Sequence, residues 1–473
     1  MPPGPKGWPV LGVLPEFQRD QLGFVRRVAS YGDITLVHIA GLPFYMLSHP
    51  EHIREVFENR KDFRKGNIGP ERRLLLGKGL ATAEGDFWLK QRHISQPAFH
   101  RERIMAYGRI MSGICQKRIA EWPTGQVVDL HAMLMRMALE SVAKVLFNAN
   151  VESDAAQVGR SMEWVMQFFG TNANFIYRLL PRWFQTPGRL RFRREVAQLD
   201  RIIQAFITER RKSGDDPGDL LSMMMGVRYE DGSAMSDQQI RDEVMTLFLA
   251  GHETTALALS FSFALLAQHP EAEARLLEEI HSVLGDRPPT VEDIQRLPYT
   301  EKVLKESMRV YPPAWILARQ TVREVEIGGY KIPPKAFVSM SEWVTHHDPR
   351  WFPEPERFLP ERWTEEFEKK LPKHAYFPFG AGPRGCIGRP LAMMEATLFL
   401  TTILQRYKFT LAPGYQVVPE PSLSLRPKGG VRGSLTLRQH VPASTASRSE
   451  SVTTRVTACD GMPKKKIESS DAA

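Results

Sequence analysis

Phe377-Pro378-Phe379-Gly380-Ala381-Gly382-Pro383-Arg384-Gly385-Cys386-Ile387-Gly388 is a glycine-rich loop that delivers one cysteine to an apolar helix beginning near Pro390. Glycines let a backbone turn tightly and bring amide N–H groups close to sulfur. Those donors, with the positive end of the following helix, are expected to lower the thiol pKa and stabilise a thiolate. A cysteine taken at random is usually a buried structural thiol, and this setting is an unusual one for that role. Gly380, Gly382 and Gly385 also have the spacing of a dinucleotide-binding fingerprint. That fingerprint needs an apolar strand before it and an acidic residue about 20 positions later within a βαβ unit. The aromatic, proline-broken lead-in and the helix that follows supply neither.

Upstream of the loop, helical signals dominate. Ser236 and Gln239 have capping-box spacing, and behind them Ile240, Val244, Leu247 and Phe248 share one helical face, which predicts a long helix from Ser236 to Gln268. A second helix from about Thr300 must stop near Tyr311, because Pro312 and Pro313 cannot continue it. Strand signals are few. Val325-Glu326-Ile327 and Tyr330-Lys331-Ile332 flank Gly328-Gly329 in the pattern of a β-hairpin, and alternation over Thr35–Ile39 and Phe44–Leu47 predicts another. The fold class is mainly α with small β-sheets.

Composition narrows the function classes. The 473 residues are 42% hydrophobic and 25% charged, the balance of an ordinary globular protein. No uncharged apolar run reaches the roughly 18 residues of a membrane span, and the N-terminus, Met1 to Pro9, lacks the charged head and apolar middle of a signal peptide. A cytoplasmic protein with no membrane span is expected. Cys115, Cys386 and Cys459 lie far apart, against a disulfide framework or zinc knuckle. The formal charge of +9 is spread over scattered basic residues without interleaved aromatics, so nucleic-acid binding is not expected. From about His440 onward the composition turns to Ser, Thr, Ala and Lys, and residues 439–473 are expected to form a disordered tail after one domain over 1–438.

Within the loop, Phe379, Gly382, Arg384, Cys386 and Gly388 occupy five fixed positions in ten residues, and this pattern resembles the haem-binding signature of the cytochrome P450 family. Ala250-Gly251-His252-Glu253-Thr254-Thr255 resembles that family's second signature, in a long distal helix lying over the haem, with the Cys loop on the proximal side. The resemblance runs through nearly all of residues 1–438, with the motifs in the family's order. It implies haem b (heme b, iron protoporphyrin IX) ligated by the Cys386 thiolate, and monooxygenase activity: one oxygen atom from O2 inserted into an apolar substrate.

Further roles follow from the resemblance residue by residue. Gly251 would leave room for dioxygen and substrate, while Thr254 and Glu253 would relay protons; a bare structural reading has Thr254 back-bonded to a helix carbonyl. Trp88, Arg92, Arg319 and Arg384 would hold the haem propionates. Glu306, Arg309 and Arg362 would form a structural network. Leu247, Ala250, Ala314, Trp315, Ile316, Leu317 and Leu423 match substrate-contacting regions and imply a fatty acid, terpene or steroid. Electrons would come from a ferredoxin or flavodoxin with an NAD(P)H-dependent reductase, serving a monomer. A haem-thiolate peroxygenase or isomerase would not need Thr254 and Glu253, and a haem-based gas sensor would not turn over.

Overall fold

The expected helix between Ser236 and Gln268 organises the molecule. In the computed structural model, which describes residues 1–66, 69–149, 155–170, 184, 186–229 and 232–438, it spans Asp237–Gln268. The expected tail, residues 439–473, lies outside the described residues. Ser236 caps the helix by accepting from the Gln239 N–H at 3.2 Å. The reciprocal half of a capping box is absent: the Gln239 side chain donates instead to the Lys78 carbonyl and to Glu243, tying the helix start to the segment ahead of it. This helix is long and apolar enough to cross a membrane by length and composition, yet 83% of its most apolar window is buried inside the protein.

Helices Leu130–Phe147, Pro187–Ser213, Pro298–Val310 and Arg389–Arg406 pack around it and share one hydrophobic core. Pro298–Val310 ends where the prolines require, with Tyr311 as its C-cap. The β structure is peripheral. Ile34–Ile39 and Leu42–Leu47 form the expected antiparallel hairpin, extended into five strands by Phe337–Met340, Leu317–Thr321 and Phe63–Arg64. Val325–Ile327 and Tyr330–Ile332 pair across Gly328 and Gly329, whose φ values of 52° and 79° are those of a tight hairpin turn. A three-stranded sheet near the C-terminus joins Val127–Asp129, Arg432–Leu437 and Tyr407–Leu411, and a two-stranded hairpin pairs Pro419–Pro421 with Leu425–Pro427.

Glu306, Arg309 and Arg362 meet as expected. Glu306 and Arg309 are fully buried; the carboxylate accepts from Arg309 at 2.8 and 2.9 Å, from Arg362 at 2.9 Å, from the Trp363 indole at 2.9 Å and from the Leu359 N–H at 2.9 Å. Arg309 also donates to the carbonyls of His346, Pro355 and Arg357. Buried charge is tolerated because nearly every lone pair and proton is satisfied. The network pins the irregular segment around residues 353–363 to helix Pro298–Val310, on the way to the cysteine loop.

Candidate active site

The cysteine loop is shaped by three backbone bonds: Gly380 N to Phe377 O, Gly385 N to Gly382 O and Cys386 N to Phe379 O, at 2.8–3.0 Å. Gly382 must be glycine twice over. Its φ is +65°, and a Cβ there would lie 2.2 Å from the Phe57 carbonyl oxygen. Gly388 caps helix Arg389–Arg406, so the Cys386 sulfur sits at a helix N-terminus with the backbone N–H groups of Gly388 and Arg389 donating to it. The expected lowering of the thiol pKa is corrected in sign. Burial raises it above its ordinary value and outweighs those amides and nearby Arg92. A stable thiolate here therefore needs a positive partner bonded to sulfur, which the described residues do not provide.

Cys386 opens onto a cavity with about 1430 Å³ of space not filled by protein, part of it open to solvent. Across it stands the long helix. Between Gln239 and Leu266 every residue of that helix is buried except Ala250, Gly251 and Thr254, three neighbours on one face, and all three line the cavity. Thr254 Oγ1 donates to the Ala250 carbonyl at 2.7 Å, so the back-bonded geometry is present. Glu253 is not on the cavity wall. It is buried on another face, where Ser424 Oγ and Arg426 Nε donate to its Oε1 at 2.8 and 2.6 Å.

The substrate-contacting expectations divide. Leu247, Ala250, Ala314 and Leu317 line the cavity. Trp315, Ile316 and Leu423 do not: Trp315 is buried in a neighbouring core with its indole N–H on the Ser422 carbonyl, Ile316 packs against that core, and Leu423 is exposed on the outer surface at 39%. Val142, Leu146 and Leu391, which carry no motif, complete the apolar wall.

One edge of the cavity is cationic. Arg319 and Arg384 line it together with Lys65, which the sequence reading missed because nothing in Phe63-Arg64-Lys65-Gly66 marks a site. Burial and the two arginines push Lys65 down to about 7. Glu84 answers part of this charge through Arg384, at 2.6 Å. Trp88 and Arg92 stand behind the edge: Arg384 stacks over the Trp88 ring at 4.1 Å, and Arg92 donates to the Gly385 carbonyl at 2.8 Å. Phe379 lies on the cavity wall beside Cys386.

These residues fit haem b. A thiol that opens onto the cavity faces a strip of small residues across an apolar gap, and a surplus of cations at one edge calls for an anionic group such as a pair of propionates.

The Cytochrome P450 family profile matches residues 2–432. Cyclooctat-9-en-7-ol 5-monooxygenase of Streptomyces melanosporofaciens is 37% identical, covering 87% of this chain and 90% of its own. Pentalenene oxygenase of Streptomyces avermitilis is 35% identical, covering 88% and 92%. The structure of retinoic acid-bound cyanobacterial CYP120A1 superposes with a TM-score of 0.83 at 28% identity, over 93% of this chain and 99% of that one. With the thiol, the small-residue strip and the cationic edge assembled around one cavity, the chain belongs to the cytochrome P450 family.

Proposed function

We propose that this protein, a haem-thiolate monooxygenase that inserts one oxygen atom from O2 into an apolar substrate, acts on a cyclic terpene and receives its electrons from a ferredoxin. The observation that carries the reading is the cavity that joins the Cys386 sulfur to Gly251 and Thr254 through walls that are mostly apolar away from its cationic edge. Relatives named for cyclooctat-9-en-7-ol and pentalenene, both cyclic hydrocarbon skeletons, favour a terpene over a fatty acid or steroid. The formal charge of +9 favours an acidic electron donor. The dispersed thiols fit a cytoplasmic setting: Cys115 is buried and unpaired, and Cys459 lies outside the described residues.

A thiolate-ligated haem supplies reductive activation of dioxygen, so that one oxygen atom enters an unactivated C–H bond and the other leaves as water. Cys386 would hold the haem iron, while Lys65, Arg319 and Arg384 would bind the propionates. Val142, Leu146, Leu247 and Leu391 exclude water and orient an apolar substrate by shape. Gly251 keeps the opposite wall low; a Cβ there would come within 2.8 Å of Val142 and reach into the same space. Thr254 lines the cavity with its hydroxyl proton donated to the Ala250 carbonyl.

The test is turnover with a surrogate ferredoxin, its reductase and NAD(P)H on a panel of cyclic terpenes, fatty acids and steroids, with products identified by mass. Hydroxylated terpenes are expected; conversion of fatty acids alone would overturn the substrate class. The Thr254→Ala protein should consume NAD(P)H but divert most of the electrons to peroxide, lowering product per NAD(P)H by roughly ten-fold or more. Equal coupling in parent and variant would remove Thr254 from proton handling.

A further inference from the structure

The first turns of the long helix carry a run of polar side chains in an enclosed place. Gln239, Arg241, Asp242 and Glu243 are all buried, Glu243 completely, and groups of this kind are seldom so placed unless paired. Their partners lie in one short stretch, Leu75 to Leu80. Arg241 donates to the Leu75 carbonyl at 2.8 Å and Gln239 to that of Lys78 at 3.2 Å. In return the Lys78 N–H donates to Asp242 Oδ2 and the Leu80 N–H to Glu243 Oε2, both at 2.8 Å. Backbone lies directly against the helix here: a Cβ on Gly79 would come within 2.2 Å of Thr246 Oγ1 and 2.4 Å of the Asp242 carbonyl oxygen.

The same stretch runs on to the cysteine loop. The N–H groups of Thr82 and Ala83 both donate to the Gly79 carbonyl at 2.9 Å, and Thr82 Oγ1 donates to the Gly77 carbonyl at 2.9 Å, so residues 77–83 close on themselves as a stiff loop. At its far end the Ala83 carbonyl and the Glu84 carboxylate accept from Arg384 at 2.8 and 2.6 Å, and Glu84 also accepts from the Lys65 N–H. Leu80, Ala83 and Trp88 share a small core against which Ile387, the neighbour of Cys386, packs. Residues 77–84 are thus a strap, bonded at one end to helix Asp237–Gln268 and at the other to the loop that carries the thiol.

We propose that Asp242 and Glu243 are positioning residues for the haem: by clamping the Lys78 and Leu80 amides they fix the strap, and the strap fixes the direction in which Arg384 presents its guanidinium to the propionates. Neither carboxyl group lines the cavity, so their action on the cofactor runs through the strap. Releasing the clamp at Leu80 leaves a buried N–H unpaired and lets Ala83 and Glu84 draw Arg384 out of line. The inference rests on the propionate role given to Arg384 above.

The test follows the haem itself in the loaded protein. Its release is timed by capture in excess apomyoglobin, and its midpoint potential is read by spectroelectrochemistry, in the parent, Glu243→Met, Glu243→Gln, Arg384→Gln and the double variant Glu243→Met with Arg384→Gln. Glu243→Met is expected to speed release roughly ten-fold and to make the potential more negative, because propionate charge less well answered by Arg384 stabilises ferric iron. Glu243→Gln, which keeps an oxygen for the Leu80 N–H, should stay near the parent in both. Arg384→Gln should reproduce both changes, and the double variant should be no worse than Arg384→Gln alone, since the strap then has no guanidinium to position. The carbon monoxide spectrum of each reduced protein verifies that sulfur still holds the iron. Effects that multiply in the double variant, or a parent-like potential in Glu243→Met, would reduce Glu243 to local support and overturn the proposal. Parent-like behaviour of Arg384→Gln would remove the propionate role of Arg384, and the proposal with it. Should Glu243→Met fail to retain haem at all, Gly79→Ala, whose added Cβ lifts the strap off the helix without removing a charge, is taken through the same cycle with the same outcomes deciding.

Discussion

Lys65 shows what a single residue contributes that no motif announces. Its ammonium lies in a buried cationic edge beside Arg319 and Arg384, and its pKa falls to about 7. An unfolded lysine titrates near 10.5, so between about pH 7 and 10.5 the unfolded chain binds more protons than the folded one. In the haem-free protein this residue therefore opposes folding below pH 7 and ceases to do so as pH rises through that window. The haem-free parent should gain thermal stability between pH 7 and 10 relative to Lys65→Met, which lacks this contribution. Haem binding near pH 8 should release the Cys386 thiol proton while Lys65 takes one up, so the net proton release, read from the buffer dependence of the binding enthalpy, should be larger by about one proton in Lys65→Met than in the parent. Equal proton release in the two proteins would place Lys65 away from the propionates. Cys386, Gly251 and Thr254 were legible because each sits in a dense local motif. Trp315, Ile316 and Leu423 were misplaced because cavity exposure there depends on how the chain leaves Pro312-Pro313 and on a hairpin contact between Trp315 and Ser422. Neither leaves a periodic trace in sequence.

At the scale of elements, helices were read well wherever apolar spacing and punctuation agreed. Pro298–Val310 stops before its prolines and Asp237–Gln268 starts behind Ser236. Sheets were read only as hairpins. Leu42–Leu47 pairs in parallel with Phe337–Met340 across nearly three hundred residues, and no local pattern encodes such a partner. The Glu306 network is intermediate: the i,i+3 pair with Arg309 is visible in one helix, whereas the bonds to Arg362, Trp363 and the Leu359 amide join a second segment. Removing the carboxylate leaves two buried guanidinium groups uncompensated. Glu306→Ala should cost about 3–5 kcal/mol, seen as a lower denaturation midpoint with early loss of haem. A loss under about 1 kcal/mol, the range of a surface pair, would show that the backbone carbonyls around Arg309 hold the segment unaided.

The whole molecule adds long-range charge to the picture. A haem held by Cys386, at the start of helix Arg389–Arg406, would receive electrons only if a donor docks long enough for transfer, and a formal charge of +9 creates a field that draws an acidic donor before contact. Such attraction is screened within about 10 Å at 0.1 M salt and within about 3 Å at 1 M. Substrate entry into the apolar cavity involves no net charge and is not subject to the same screening. Raising the salt should therefore slow reduction by an acidic ferredoxin by on the order of ten-fold while leaving the spectral dissociation constant for the substrate nearly unchanged. Stopped-flow reduction across a salt series, beside substrate titrations under the same conditions, separates the two effects. If both fall together, salt is loosening the fold; if neither moves, the donor docks through apolar contacts and the basic surface serves another purpose.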